Sequence, residues 1–371
     1  VITVSSEEEL VKLFGKPQAG SNQFESWFAA ANFLQYADQL KVVRPASAIV
    51  NAGQASGVLV RDDDHYLASF WSETGAGQST TNDWLARSAG TWGNSLAVQI
   101  CPSATVFEQD LGTNNLVNET SVAAGDTTII VDDADKASYA FNVGDLISFY
   151  SDAASETPID DYNEYQVTAI DTTSNELTFR LDGDPNGAGL QNAIADDSYI
   201  KRRWAFYDLF NAEKSSTDSS PGPGTSDWNT QNGRGTGDEL FIVVYDTTGD
   251  ITGYDYDAAA QRTSSVIETY RASKNPSAKS PQGDSIYYPN VIFRESQYIY
   301  WGDHITAGTN WGTDTTSAYT SVLVSDIATL TGGTDDYAVT AGELEIAYDK
   351  FDDADNLDIN LVLGGKGGGS G

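Results

Sequence analysis

"SAGTWGNSLAVQI", from Ser88 to Ile100, is the stretch on which the reading of the fold turns. Leu96, Val98 and Ile100 alternate with Ala97 and Gln99, which is the period of a β-strand. Ahead of the strand, Gly90 and Gly93 supply backbone freedom that a residue with a Cβ resists. Trp92 is placed to cover the end of a sheet, and Asn94 has the chemistry to bond its own backbone in an Asx-type turn. The stretch predicts a tight corner at the mouth of a core strand. Gly90, Trp92, Gly93 and Asn94 are its candidate structural residues.

Working outward toward the N-terminus, "SSEEELVKLFGKP" predicts a short helix. Ser6 and Glu9 have capping-box spacing, Leu10, Leu13 and Phe14 form an apolar stripe, and Gly15 with Pro17 ends it. A longer amphipathic helix follows, with Phe24, Trp27, Phe28, Ala31 and Leu34 at helical spacing. "KVVRP" then reads as a short strand stopped by Pro45, so helix, helix and strand suggest an α/β layer. From about Ala46 to Ser88 the character changes: "ASGVLVRDDDHYLASFW" reads as short and strand-like, rich in Gly, Ser and Asp, and the stretch to Thr81 as loop chemistry.

On the C-terminal side, 104–203 is dense in β signals. "DTTIIVDD", "DLISFY", "EYQVTAI", "NELTFRL" and "SYIKRRW" are short runs separated by turn residues, the spacing of a small barrel or sandwich. Beyond it, the stretch from Asn211 to Gly237 reads as a long polar loop, and "ELFIVVYD" is the best buried strand. "TTGDITGYDYD" fits a turn and return strand, "SSVIETYRAS" a strand, "YYPNVIFRES" a helix with the strand "QYIYW" beside it. "TAGELEIAYDKF" repeats the capping logic with Thr340 and Glu343, and puts Leu344, Ala347, Tyr348 and Phe351 on one face. "NLDINLVLGG" reads as a strand.

Composition narrows the function. Against 20 Lys and Arg stand 54 Asp and Glu, a formal charge of -34, which repels nucleic acid and anionic membranes. No apolar run approaches the ~20 residues of a membrane-spanning helix. Cys101 is the only cysteine, so no internal disulfide forms. The chain opens without Met or a signal-peptide pattern, and segments are expected before Val1 and after Gly371.

Motifs that carry chemistry are scarce. "DGDPNG" copies half a calcium loop through Asp182, Asp184, Asn186 and Gly187, but its twelfth position is Ala193 where a bidentate Glu belongs. The carboxylates of "RDDDHY" beside His65 point to alternate faces if extended, and His304 sits in a loop near tryptophans. There is no G-x-S-x-G, Walker A or H-E-x-x-H pattern. No catalytic residue, metal or cofactor is expected.

Four places, in order, resemble the tail sheath proteins of contractile bacteriophages, particularly of large myoviruses. These are "VSSEEELVKLFGKP" followed by "NFLQYADQLKVVRP"; "SAGTWGNSLAVQI", similar to the sheath pattern Gly-x-Trp/Leu-Gly-Asn/Asp before a strand; "TLTGG" followed by "VTAGELEIAYDKF"; and "NLDINLVLGG". The match covers most of 1–103 and 204–371, and its strength lies in the order of the four rather than in any one.

What the resemblance implies is a structural subunit that polymerises in stacked rings around a tail tube protein. Baseplate and tail terminator proteins would be its other partners, with no direct nucleic-acid contact and no membrane insertion. Assembly would take place in the host cytoplasm, with the protein residing in the virion tail and contraction driving the tube through the host envelope. The expected fold is α+β, a mixed α/β core layer carrying inserted all-β modules, in several domains. A discontinuous core would comprise 1–45, 86–103 and 204–337, with 46–85 a small β or irregular insertion and 104–203 an acidic outer barrel or sandwich. Residues 338–371 would begin a further C-terminal sheath domain. The alternatives from other classes are a β-modular surface adhesin or glycan-binding protein, and a hydrolase whose carboxylates converge only in the fold.

Overall fold

A computed structural model describes residues 1–17, 23–45, 48–71, 82–155, 157–210, 222–256, 262–305, 308–319, 326–352, 357 and 359–363. The chain is a mixed α+β protein whose strands pair antiparallel throughout the described ladders. At its centre lies a four-stranded sheet in the order Val266–Ser273, Glu239–Asp246, Leu96–Cys101, Asp326–Thr329.

Both faces of that sheet are covered, which is why its two central strands are apolar at nearly every position. Leu96, Val98, Ile100, Leu240, Ile242 and Val244 point into a core shared with the helix Tyr288–Glu295 and with Trp84, Trp301 and Trp311. The intervening Ala97, Cys101, Phe241, Val243 and Tyr245 pack on the other face against Phe107, Trp204, Phe206 and Phe210. The alternation read from "SLAVQI" is this two-sided burial. Helix Tyr288–Glu295 carries Pro289 in its first turn, where the missing N–H costs nothing.

The opening helices form at Glu7–Phe14 and Gln23–Leu34. Ser6 caps the first by accepting from Glu9 N at 3.2 Å, but Glu9 Oε2 returns to Ser5, to its N at 2.7 Å and its Oγ at 2.8 Å. The predicted box is therefore displaced by one residue on its acidic side. Strand Leu40–Val42 pairs with Ile2–Val4 instead of joining the central sheet. The opening thus closes over its own small core of Val4, Leu10, Trp27 and Ala31.

Between Glu108 and Arg203 the chain builds a six-stranded sheet in the order Glu108–Asp110, Tyr199–Arg203, Leu146–Tyr150, Tyr165–Asp171, Glu176–Leu181, Thr128–Ile130. The first and last are edges, so this is an open sheet rather than a closed barrel. Single bridges from Leu116 to Tyr199 and from Val117 to Val131 span the gap. Its core is separate, centred on Phe149, Tyr165, Val167, Leu177 and Phe179. A buried ion pair, Arg202 with Asp145 at 3.4 Å, stands where the module meets the central core. Arg202 also donates through its two terminal nitrogens to Ala140 O at 2.6 Å, Thr105 O at 3.3 Å and Gln109 Oε1 at 2.9 Å, while its Nε has no partner among the described residues, so the buried charge is hydrogen-bonded at its head but not at every donor.

Four local readings differ from the structure. "DDHYLAS" is a helix, Asp63–Ser69, because Asp62 accepts from His65 N at 2.8 Å and three aspartates at the start suit the helix dipole. Within the expected polar loop, Asp227–Gln231 is helical and capped by Ser226; residues 211–221 lie outside the described ones. "TTGDITGYDYD" contains turns and no return strand in its described part. Buried Asp246 accepts from the amides of Gly249 (3.0 Å), Ile251 (2.8 Å) and Thr252 (2.7 Å), which winds the chain around one carboxylate. Leu361–Leu363 is not in a strand, and all three side chains are exposed.

Candidate functional site

Gly90 turns the chain at φ +130, and its N–H donates to Val50 O at 3.0 Å. A Cβ there would stand 2.7 Å from Asp335 Oδ1, in a conformation L side chains rarely adopt. Residues Thr91–Ser95 then form a 3-10 turn that delivers Leu96 into the central strand. Gly93 sits under this turn with ordinary backbone angles, where a Cβ would lie 2.9 Å from Ala86 Cβ and 3.1 Å from Ala52 Cβ. Its requirement for glycine is one of space.

Asn94 does not bond its own backbone. Its Nδ2 donates to Gly333 O at 3.0 Å and its Oδ1 accepts from Gly333 N at 2.7 Å, across 239 residues. The turn closes without the amide, because Ser95 Oγ donates to Trp92 O at 2.9 Å, which leaves Asn94 to bond outward. Thr91 strengthens the same junction by donating to Asp335 from its N at 3.1 Å and its Oγ1 at 2.6 Å. The glycines of "LTGGTDD" therefore lie directly on the corner, and a Cβ on Gly333 would meet Gly90 O at 2.4 Å.

Residues 49–53 complete the corner from a third direction. Gly53 bridges both Leu85 and Thr331, and Val50 bridges Thr334. Fully buried Asn51 donates through Nδ2 to Ala86 O at 2.9 Å and accepts Val60 N at 2.9 Å through Oδ1. Nothing in "IVNAGQ" marked Asn51 as a hub, since Asn in a Gly- and Ser-rich stretch reads as a turn residue.

Trp92 packs against the central core. It is half-buried, donates to Ala89 O at 3.3 Å, and meets Tyr298 edge-on at 6.1 Å. Both rings line a cleft of about 1710 Å³ between the opening helices, the corner and the helix Ala341–Asp349. That helix carries the complete Thr340–Glu343 capping box. Its predicted face of Leu344, Ala347, Tyr348 and Phe351 lines the cleft, and no residue within it is buried. The volume exceeds the ~300–1,000 Å³ of small-ligand pockets. Arg44, Thr91, Asp335 and Asp336 belong to its polar lining, together with Glu8, Lys16, Lys41 and Asp250.

The other sequence candidates are dispersed. Asp182 pairs with Arg262 at 2.9 Å, while Asp184 accepts from Asn186 N at 2.9 Å and Ala188 N at 3.0 Å within its own turn. Those two amides hold the Asp184 carboxyl below its ordinary range. Among the described residues no group of three or more His, Cys, Asp and Glu is placed to hold a metal. His65 Nδ1 accepts from Arg61 N at 3.2 Å, and His304 lies between two tyrosine hydroxyls; neither lines the cleft.

Sequence reasoning missed a buried polar cluster behind the central sheet. Asp238 accepts from Ser226 N and Oγ, both at 2.8 Å, and from Ser273 Oγ. Lys274 donates to Pro102 O at 2.6 Å and Gly237 O at 2.7 Å, beneath the Trp311 ring. Burial lowers Lys274 to about 7, against the pull of Asp238. Burial also pushes the nearby Cys101 thiol well up, so it is an inert core residue.

The fold and corner define an antiparallel α+β protein with a glycine-packed junction beside a large open cleft. No family model matches the chain, and no curated protein matches it either.

Proposed function

We propose that the chain is a structural subunit of a contractile phage tail sheath, polymerising helically around a tail tube and contracting to drive it through the host envelope. The observation that carries this reading is the meeting of two of its motifs. "GTWGN" and "LTGG", 239 residues apart, interlock through the paired Asn94–Gly333 hydrogen bonds. Residues on which the resemblance rests thus form one structural unit. The acidic sheet of 108–203 has its own core and leaves the chain at Glu108 and rejoins it at Arg203 as paired neighbours, the geometry of an inserted module. An open polymer follows if subunits meet through unlike surfaces that do not close into a ring. Contraction is then rigid-body movement with bending at connections, and the bond-making chemistry of an enzyme has no part in it.

Negative-stain electron microscopy of the full-length gene product tests the proposal. Long hollow tubes are expected, and dispersed single particles under all assembly conditions would remove it. A surface adhesin or glycan-binding role is the second reading, and one observation favours it. Tyr162, in the connection between the strands Leu146–Tyr150 and Tyr165–Asp171, is 70% exposed and held at φ 66 beside Asp161 at φ 51. Backbone of that kind is costly for non-glycine residues. Glycan binding abolished by Tyr162→Ala would favour this role.

A further inference from the structure

His304 follows the strand Ile299–Trp301 and lies against the start of the helix Tyr288–Glu295. Its two ring nitrogens face two phenols: Nε2 is 3.2 Å from Tyr287 OH, and Nδ1 is hydrogen-bonded to Tyr288 OH. Tyr288 is fully buried, with Trp84, Trp301 and Trp311 around its ring. Its hydroxyl also takes the Trp301 Nε1–H at 3.1 Å.

Donor arithmetic assigns the tautomer. An indole N–H only donates, so one Tyr288 lone pair is already used. Burial and the neighbouring Tyr287 keep the Tyr288 phenol protonated far above its ordinary range, so it has a proton to place. Within the described residues its hydroxyl bonds only to Trp301 and His304. The proton therefore goes to His304 Nδ1, which must be bare, and the imidazole proton sits on Nε2, donating to Tyr287 OH. The opposite tautomer would strand the Tyr288 proton among tryptophans. Tyr287 tolerates the leftover proton better, being less deeply enclosed and under the influence of Asp303.

We propose that His304 is an acid-sensitive latch: neutral, it fastens the Tyr287–Tyr288 corner to the strand Ile299–Trp301, and a proton on Nδ1 unfastens it. An imidazolium donates from both nitrogens, so Tyr288 OH would face two donors and lose its only acceptor. The charges around the ring are divided. Asp303, whose Oδ1 accepts His304 N at 2.7 Å, and Asp83, beside Gly302, favour the imidazolium; Lys274, across the Trp311 ring, opposes it. Asp303 is half-exposed and acts partly through solvent, whereas the stranded hydroxyl lies in the dry core. Histidine is the side chain whose ordinary range makes such a latch work between pH 5 and 8.

With only His65 and His304 in the chain, nitrogen-15 histidine spectra read the latch directly, His65→Gln providing the assignment. At pH 7.5 His304 is expected to be neutral with Nε2 protonated and Nδ1 bare, and to remain mostly neutral at pH 6, below the ordinary midpoint of ~6.5. Urea unfolding at pH 7.5 and 5.0 supplies the second readout. Tyr288→Phe keeps the ring and removes the hydroxyl that needs an acceptor. The wild type is expected to lose about tenfold more in its folding constant over that interval than Tyr288→Phe, the equivalent of ~1 pKa unit. A proton on Nδ1 at pH 7.5, an imidazolium predominating at pH 6, or equal losses in the two proteins overturns the latch. If Tyr288→Phe fails to fold, the spectra of the wild type decide.

Discussion

Replacing Gly93 by alanine adds one methyl group at a position with no room for it. The new Cβ would stand 2.9 Å from Ala86 Cβ and 3.1 Å from Ala52 Cβ. Both neighbours are fixed to backbone that is itself bridged, Ala86 N donating to Ala52 O at 2.8 Å. Neither can swing away as the end of a long side chain could. Backbone strain adds nothing, since the φ of Gly93 is not left-handed. Overpacking of this kind costs about 1–3 kcal/mol. At ~2–4 °C per kcal/mol for a unit of some 150–250 residues, a cost of ~2 kcal/mol lowers Tm by about 4–8 °C. Valine should cost more than alanine. Gly342→Ala is the matched control: it lies in the helix Ala341–Asp349, and a Cβ there meets nothing within 4 Å. That change should be neutral or stabilise by up to ~1 kcal/mol. Differential scanning calorimetry of the two variants decides. Gly93→Ala and Gly93→Val melting within a degree of wild type would refute the corner as a packed junction.

Asn94→Ala should cost ~2–3 kcal/mol, seen as a lower urea midpoint, because it leaves both polar groups of Gly333 without their partners. Lys274 sits near 7 in the folded chain against an ordinary 10.5, so the unfolded chain binds more protons between those values. Stability should therefore rise from about pH 7 toward pH 9.5, a rise that Lys274→Met flattens. Asp145 is raised to about 6 by burial, with Arg202 pulling the other way. Asp145→Asn leaves Arg202 buried without its counter-charge and should cost ~3–5 kcal/mol, while the double change Asp145→Leu with Arg202→Met should cost less than either single one. Cys101 should resist a thiol reagent in the native state, with labelling that follows the unfolding rate.

Where residues speak for themselves locally, the sequence was legible. Leu96–Cys101 and Glu239–Asp246 announced themselves by apolar content, and Ser6 and Thr340 by capping chemistry. Period and caps act within a few residues, so a linear reading captures them. Partners at long range were invisible. Asn94 looked like a local turn residue, yet its amide bonds Gly333. The aspartates before His65 looked like a solvated loop, yet Asp62 caps a helix, and Asp63 meets Arg87, 24 residues along the chain, at 3.0 Å. The same limit hid the Asp238 cluster, whose members come from three stretches of chain. Sequence also suggested a joined α/β layer at the start, where Leu40–Val42 instead found Ile2–Val4, the nearest strand able to pair.

Immunogold labelling of phage particles released from cells carrying the gene, with antibodies against this chain, tests the sheath proposal most directly. Gold should line the tail shaft at a regular repeat, with closer spacing in contracted tails than in extended ones. Gold confined to the capsid, the tail tip or the cell surface would contradict a sheath subunit.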